Sequence, residues 1–212
     1  MKMFHLSMDQ TRHPTVLPRQ NRAMRTRAAL IVAVETIVAD EGPEAVTTTR
    51  VATETGLAVG SVYRYFPDRD ALLLAAYDET VRRIVASCEA ALAALPGTLS
   101  RQDAATRLLS EYLSAADAIP AHSGLLRAMR SIRPVEVDQA AGQNPDIVRT
   151  LLAPFIERYG ERTPDHTRLA FLSVLLGTMV DLYLVTTDAS ERNKLRRELD
   201  AHMLLALARL GD

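Results

Sequence analysis

The sequence predicts an all-α protein in two parts, an N-terminal three-helix unit followed by a larger helical bundle. Three observations carry that expectation. No stretch of the 212 residues sustains an apolar–polar alternation of period two. Apolar residues instead recur at three- and four-residue steps, as at Leu30, Ile31, Val34, Ile37 and Val38. Glycine and proline then punctuate the chain at helix-sized intervals: Gly42-Pro43, Gly56, Pro67, Pro96-Gly97, Pro120, Pro134, Gly142, Gly160 and Pro164.

Each element follows from local signals. Residues 1–24 contain Pro14 and Pro18 without helical period and read as a flexible arm. A first helix runs from about Arg25 until Gly42 and Pro43 forbid its continuation. Thr47 is the expected N-cap of a second helix, Thr48 to Thr55. Val46 and Val51 stand at the positions of a hydrophobic staple, and Gly56 stops the helix. A short third helix spans Val59 to Phe66, because Pro67 disfavours helix in the residue before it. Asp68 and Asp70 then suit the start of a long fourth helix that reaches about Leu95. Further helices are expected at about 101–118, 121–132, 144–159, 164–187 and 189–210.

Composition narrows the class. Hydrophobic residues make up 48% and charged residues 24%, enough for a substantial core. The formal net charge of −1 carries no global signal for a polyanion. Its distribution says more: before Leu30 stand Lys2, Arg12, Arg19, Arg22, Arg25 and Arg27 against the single acid Asp9. That excess suits either a solvated tail or an arm that follows phosphates. One cysteine, Cys88, excludes an internal disulfide and points to the reducing cytoplasm, with the thiol as inert packing. The N-terminus has no secretory h-region. The most apolar run, Leu169 to Val185, is short for a membrane span and carries Ser173, Thr178 and Asp181. A helix apolar nearly all round is instead expected to be buried on two sides, one of them against a second copy. No P-loop, Rossmann glycine pattern or His-Glu-x-x-His is present, and the five histidines lack ligand spacing. No enzyme, cofactor or metal site is therefore expected.

The second and third helices, joined by a turn at Gly56, have the dimensions of a helix-turn-helix. At about 100° per residue, Val59 and Phe66 lie within about 60° of Val62 and define an inward edge. Gly60, Ser61 and Arg64 face outward, with Tyr63 and Tyr65 on the flanks. That face suits a major groove. Arg64 can bond guanine bidentately, Ser61 can donate or accept, and Gly60 admits a close approach. The tyrosine hydroxyls can reach phosphates on either wall, contacts that set register rather than read sequence. Thr47, Thr48 and Arg50 at the start of the second helix, and Arg69 at the start of the fourth, are further candidate phosphate contacts. Val59 completes the candidate set.

The stretch from about Arg25 to Leu74 resembles the DNA-binding domain of tetracycline-repressor-family (TetR-family) transcriptional regulators. The resemblance is carried by "ADEGPEAVTTTRVA" and "TGLAVGSVYRYFPDRDALL", with Thr47, Val51-Ala52, Gly56-Leu57, Tyr63, Phe66 and Leu72-Leu73 matching the family pattern. Two positions depart from it: Ala58 replaces a helix-capping serine, and Arg69 replaces a lysine. The resemblance implies a DNA-binding domain over 25–70 and a ligand-binding and dimerisation domain over 71–212. It further implies a homodimeric repressor, released from a palindromic double-stranded DNA operator by a small-molecule effector. Leu172, Leu176, Met179, Leu204 and Leu205 are candidate dimer contacts. Tyr112, His122, Met129, Arg130, Arg133, Asp181 and Tyr183 are candidate effector contacts, being polar or adaptable residues within apolar helices. The competing expectation is a helical adaptor without DNA binding, which gives no reason for two tyrosines flanking Arg64.

Overall fold

A computed structural model describes residues 18–133, 148–160 and 166–209. Among them there is helix and no strand. The helices are α1 (Pro18–Glu41), α2 (Thr48–Thr55), α3 (Val59–Tyr63), α4 (Arg69–Ala94), α5 (Arg101–Asp117), α6 (His122–Ile132), α7 (Ala153–Tyr159), α8 (His166–Val185) and α9 (Ala189–Arg209). A 3₁₀ turn, Pro43–Ala45, joins α1 to α2, and a π-helical turn, Val148–Leu152, leads into α7. The expected helix start at 144 lies outside the described residues, as do Pro134, Gly142 and Pro164.

Local signals set most helix ends. The Thr47 hydroxyl accepts the Arg50 N–H at 3.0 Å and so caps α2. Asp68 does the same for α4, accepting the Ala71 N–H at 2.7 Å. Gly42 and Gly56 have φ of +87° and +68°, left-handed values that a side chain resists. Val46 and Val51 are fully buried, as a staple requires.

Two boundaries differ from expectation. Helix α1 begins at Pro18 rather than Arg25, so residues 18–24 of the expected flexible arm are helical. Proline is tolerated in a first turn because its missing N–H is unbonded there anyway. Helix α3 ends at Tyr63, and the chain closes over Arg64 and Tyr65 as a turn in which both the Tyr65 and Phe66 N–H groups donate to the Val62 carbonyl.

The core has three parts. The first lies among α1, α2, α3 and the start of α4, with Leu30, Val34, Ile37, Val51, Val62, Phe66, Leu72 and Leu73 buried. The second lies among α4, α5, α6, α8 and α9, with Ile84, Cys88, Leu113, Leu126, Met129 and Leu199 buried. The third lies farther along the bundle, around Leu92, Ala104, Phe155 and Met203. Helix α6 belongs to two of them: Leu125 and Ala128 pack into the first and Leu126 and Met129 into the second. Gly124 lets α6 approach α1, since a Cβ there would lie 2.7 Å from Val38 Cγ1. Helix α4 spans both cores, and its Arg83 pairs with Glu35 of α1. Its far end is held by Arg158 of α7, which donates to the carbonyls of Leu92 and Leu95.

Candidate nucleic-acid interface and effector region

Helices α2 and α3 pack together beneath α1, and Gly56 turns the chain between them. Val62 and Phe66 anchor the back of α3, at 0% and 4% exposure. Val59 is half-buried against the same core, so part of its side chain supports α3. Gly60, Tyr63 and Arg64 are exposed and Ser61 is half-exposed. Arg64 Nη2 lies 3.4 Å from the Ser61 hydroxyl, so the two groups suited to base edges sit side by side.

The two tyrosines differ. Tyr63 is 53% exposed, and its hydroxyl lies 3.2 Å from that of Thr48. The start of α2 and the end of α3 thus form one hydroxyl-bearing patch. Tyr65 packs partly onto the N-terminal core, a half-buried position rather than a free flank. Helix α3 has no side-chain cap at Ala58, as its missing hydroxyl dictates.

The basic residues also differ. Arg50 pairs with Glu41 at 2.7 Å, with both side chains about half exposed. Such a pair contributes at most about 1 kcal/mol, so a phosphate can draw Arg50 away. Arg69, about one third exposed, is tied to its own chain. Its Nε donates to the Val46 carbonyl at 2.9 Å and its Nη2 to the Pro43 carbonyl at 2.8 Å, with Glu44 and Asp70 nearby. The guanidinium fork ties the start of α4 to the turn before α2, a two-carbonyl role that suits arginine better than lysine.

Gly60 has no internal explanation. Its φ is not positive, and no atom lies within 4 Å of where its Cβ would stand. Glycine there costs about 1 kcal/mol of helix stability relative to alanine.

In the larger domain Arg130 of α6 pairs with Asp181 of α8, Nε to carboxylate at 2.8 Å. Tyr112 is close enough for Asp181 to help raise the pKa of its phenol, burial being the larger cause. Met129 is buried in the same core. These four candidate effector contacts share one region. Arg133 is half-buried at the end of α6. Tyr183 packs against that core too, with the Arg192 guanidinium 4.3 Å from its ring centroid. His122 is held by other groups: its Nδ1 lies 2.8 Å from the Thr80 hydroxyl and its ring stacks on Tyr77. The Thr80 hydroxyl proton goes to the Tyr77 carbonyl at 2.7 Å, so His122 Nδ1 carries the hydrogen between them. Burial pushes the Cys88 thiol up to about 12, with Glu111 adding to the shift, which keeps it protonated.

The apolar surface of α8 and α9 lies on a different register from the one expected. Leu176 and Met179 turn inward onto the core. The side chain of Leu172 lies outside the described residues. Outward instead stand Phe171, Leu175 and Leu182, together with Leu204 and Leu205, at exposures of 65%, 37%, 51%, 39% and 54%. The sequence reading missed Phe171, Leu175 and Leu182, although their i, i+4, i+11 spacing places them on one stripe. No helix among the described residues is long and apolar enough to cross a membrane.

The chain thus places a helix-turn-helix at its N-terminus and runs through a shared α4 into a larger helical bundle. Residues 30–76 match the family described as "Bacterial regulatory proteins, tetR family". The match is confined to this N-terminal segment, while over 87–89% of its length the chain shares the fold of solved TetR-family regulators. One from Streptomyces coelicolor superposes with a TM-score of 0.65 at 19% identity, covering 87% of this chain and 98% of that one. One from Rhodococcus sp. RHA1 gives 0.56 at 21%, covering 89% and 98%. The TetR family repressor AlkX from Dietzia sp. strain DQ12-45-1b, implicated in biodegradation of n-alkanes, gives 0.58 at 15%, covering 88% and 97%. At these identities the likeness is one of fold. No functionally curated protein matches the chain significantly by sequence.

Proposed function

We propose that the chain is a homodimeric DNA-binding repressor whose two α3 helices enter successive major grooves of a palindromic operator, and that a small-molecule effector in the larger domain releases it. The observation that carries the DNA-binding reading is Gly60: a helix-weakening glycine, on the outward face, that neither packing nor backbone conformation requires. Close approach of a duplex supplies the reason. Ser61 and Arg64 beside it read base edges, while Thr47, Thr48, Arg50 and Tyr63 hold phosphates. Tyr65 sets the height of α3 from its half-buried position.

The exposed stripe of Phe171, Leu175 and Leu182 with Leu204 and Leu205 fits a second copy of the same surface. The effector reading is supported by Arg130, Asp181 and Tyr112, polar groups converging among apolar side chains of α5, α6 and α8. Release requires the effector to favour one dimer spacing over another.

The test is a mobility-shift titration on duplexes selected from a random library by the wild-type protein. Gly60→Ala should leave the fold as stable as before or up to about 1 kcal/mol more stable, while weakening DNA binding. Arg64→Ala should cost about 1–3 kcal/mol and relax preference at one base pair. Selection of no common sequence, or unchanged affinity in both variants, would sink the assignment of α3.

A further inference from the structure

We propose that the exposed start of α1, Gln20 to Ala29, forms a cationic ridge that grips the DNA phosphate backbone beside the recognition helix. The inference rests on the reading of α2 and α3 as a DNA-binding pair, but its observations are separate. The first buried residue of α1 is Leu30, and from Gln20 to Ala29 every side chain is exposed or half-exposed. This part of α1 is therefore helix that no described element covers. It is propagated from the anchored Leu30–Glu41 segment, which removes the cost of nucleation.

Its chemistry is one-sided. Between Pro18 and Val34 the sequence holds Arg19, Arg22, Arg25 and Arg27 and no acid. Arg22 and Arg25 make no ion pair with any described residue. Met24 is the one large apolar side chain exposed between Gln20 and Ala29. A membrane surface or an apolar protein groove would need a continuous apolar face, which a lone methionine does not provide. A polyanion needs only the charge.

Arg27 fixes where the ridge begins. Its guanidinium carbon lies 5.3 Å from the centroid of Phe66, the residue that closes the turn after α3. The root of the ridge and the end of the recognition helix are therefore neighbours. Arg22 and Arg25, less than one turn apart, are separated by about 4.5 Å along the helix axis. Duplex DNA carries a charge about every 1.7 Å of its axis, so both can meet phosphates of one duplex.

The experiment compares the full chain with an Arg22→Gln, Arg25→Gln double variant on a library-selected duplex and on a scrambled duplex of equal length. In the proposed dimer the double variant removes four phosphate contacts and lowers the salt slope by about 3.6, so the fall in affinity between 50 and 200 mM salt should be about a hundredfold smaller in the variant. The change should be the same on both duplexes, because phosphates carry no sequence. Arg22→Lys, Arg25→Lys should restore the slope. An unchanged slope, a change confined to the selected duplex, failure of lysine to restore it, or a fall in thermal stability of the glutamine variant would each overturn the ridge. The regulator reading would survive all four, since it stands on the Gly60 and Arg64 variants. Absence of salt-sensitive binding by the wild-type chain would overturn both.

Discussion

On the proposed dimer reading, a Leu182→Glu, Leu205→Glu variant should sediment as a folded monomer while the wild-type chain sediments as a dimer. Leu182 is 51% exposed and Leu205 54%, on adjacent helices. Phe171 and Leu175 share the stripe of Leu182 on α8, and Leu204 is exposed beside Leu205 on α9. In a two-fold interface each substitution appears twice, so four carboxylates would enter an apolar contact. Burying an unpaired charge costs several kcal/mol. The dimer dissociation constant should rise by at least about a thousandfold, each 1.4 kcal/mol being a factor of ten. Operator affinity should fall with it by about 10²–10⁴-fold, because two linked half-site contacts become independent ones. The fold should persist, since neither leucine contributes to a buried core. Sedimentation velocity and circular dichroism on the same sample check both statements. A dimer unaffected by the two glutamates would remove this face from the interface.

Acid should weaken the junction between the two domains through His122. This residue is 1% exposed, and burial lowers its pKa from 6.5 to about 4. Asp117 opposes that shift and Arg83 reinforces it. Unfolded chains therefore take up the proton first as pH falls. The contribution is fully present above about pH 6.5 and is lost as pH drops through the window from 6.5 towards 4. At 1.36 kcal/mol per pH unit the loss is about 3 kcal/mol. Denaturant unfolding at fixed protein concentration, at pH 7 and pH 4.5, should show the wild type losing more stability than His122→Gln. Parallel pH profiles for the two would show that His122 titrates normally. The position matters because Ala121, just before α6, and Leu125 within it pack into the N-terminal core while Leu126 packs into the second.

How much was legible in advance differs by element. The N-terminal unit was readable almost residue by residue. Thr47, Gly56 and Asp68 act on backbone groups within one turn, so their meaning does not depend on the rest of the chain. The inward edge of α3 was readable for the same reason: Val62 is set by helical period, and the turn after Tyr63 keeps Phe66 on the same edge. Arg69 was not. A charged residue in the first turn of α4 resembles a solvent-facing contact until the chain places the carbonyls of Pro43 and Val46 beside it. The extension of α1 back to Pro18 was hidden because its exposed turns carry no apolar period.

The sequence by itself determined the all-helical class, the helix-turn-helix with its capped α2, and the outward placement of Gly60, Ser61 and Arg64. Only the tertiary structure decided which side of α8 is free. That helix is apolar around most of its circumference, so its own period cannot say whether Leu176 or Leu175 faces the core. Helices α5, α6 and α9 decide it by covering Leu176 and Met179 and leaving Phe171, Leu175 and Leu182 outside. Local hydrogen-bonding needs are written within a few neighbouring residues. Burial belongs to whichever elements the whole chain brings together.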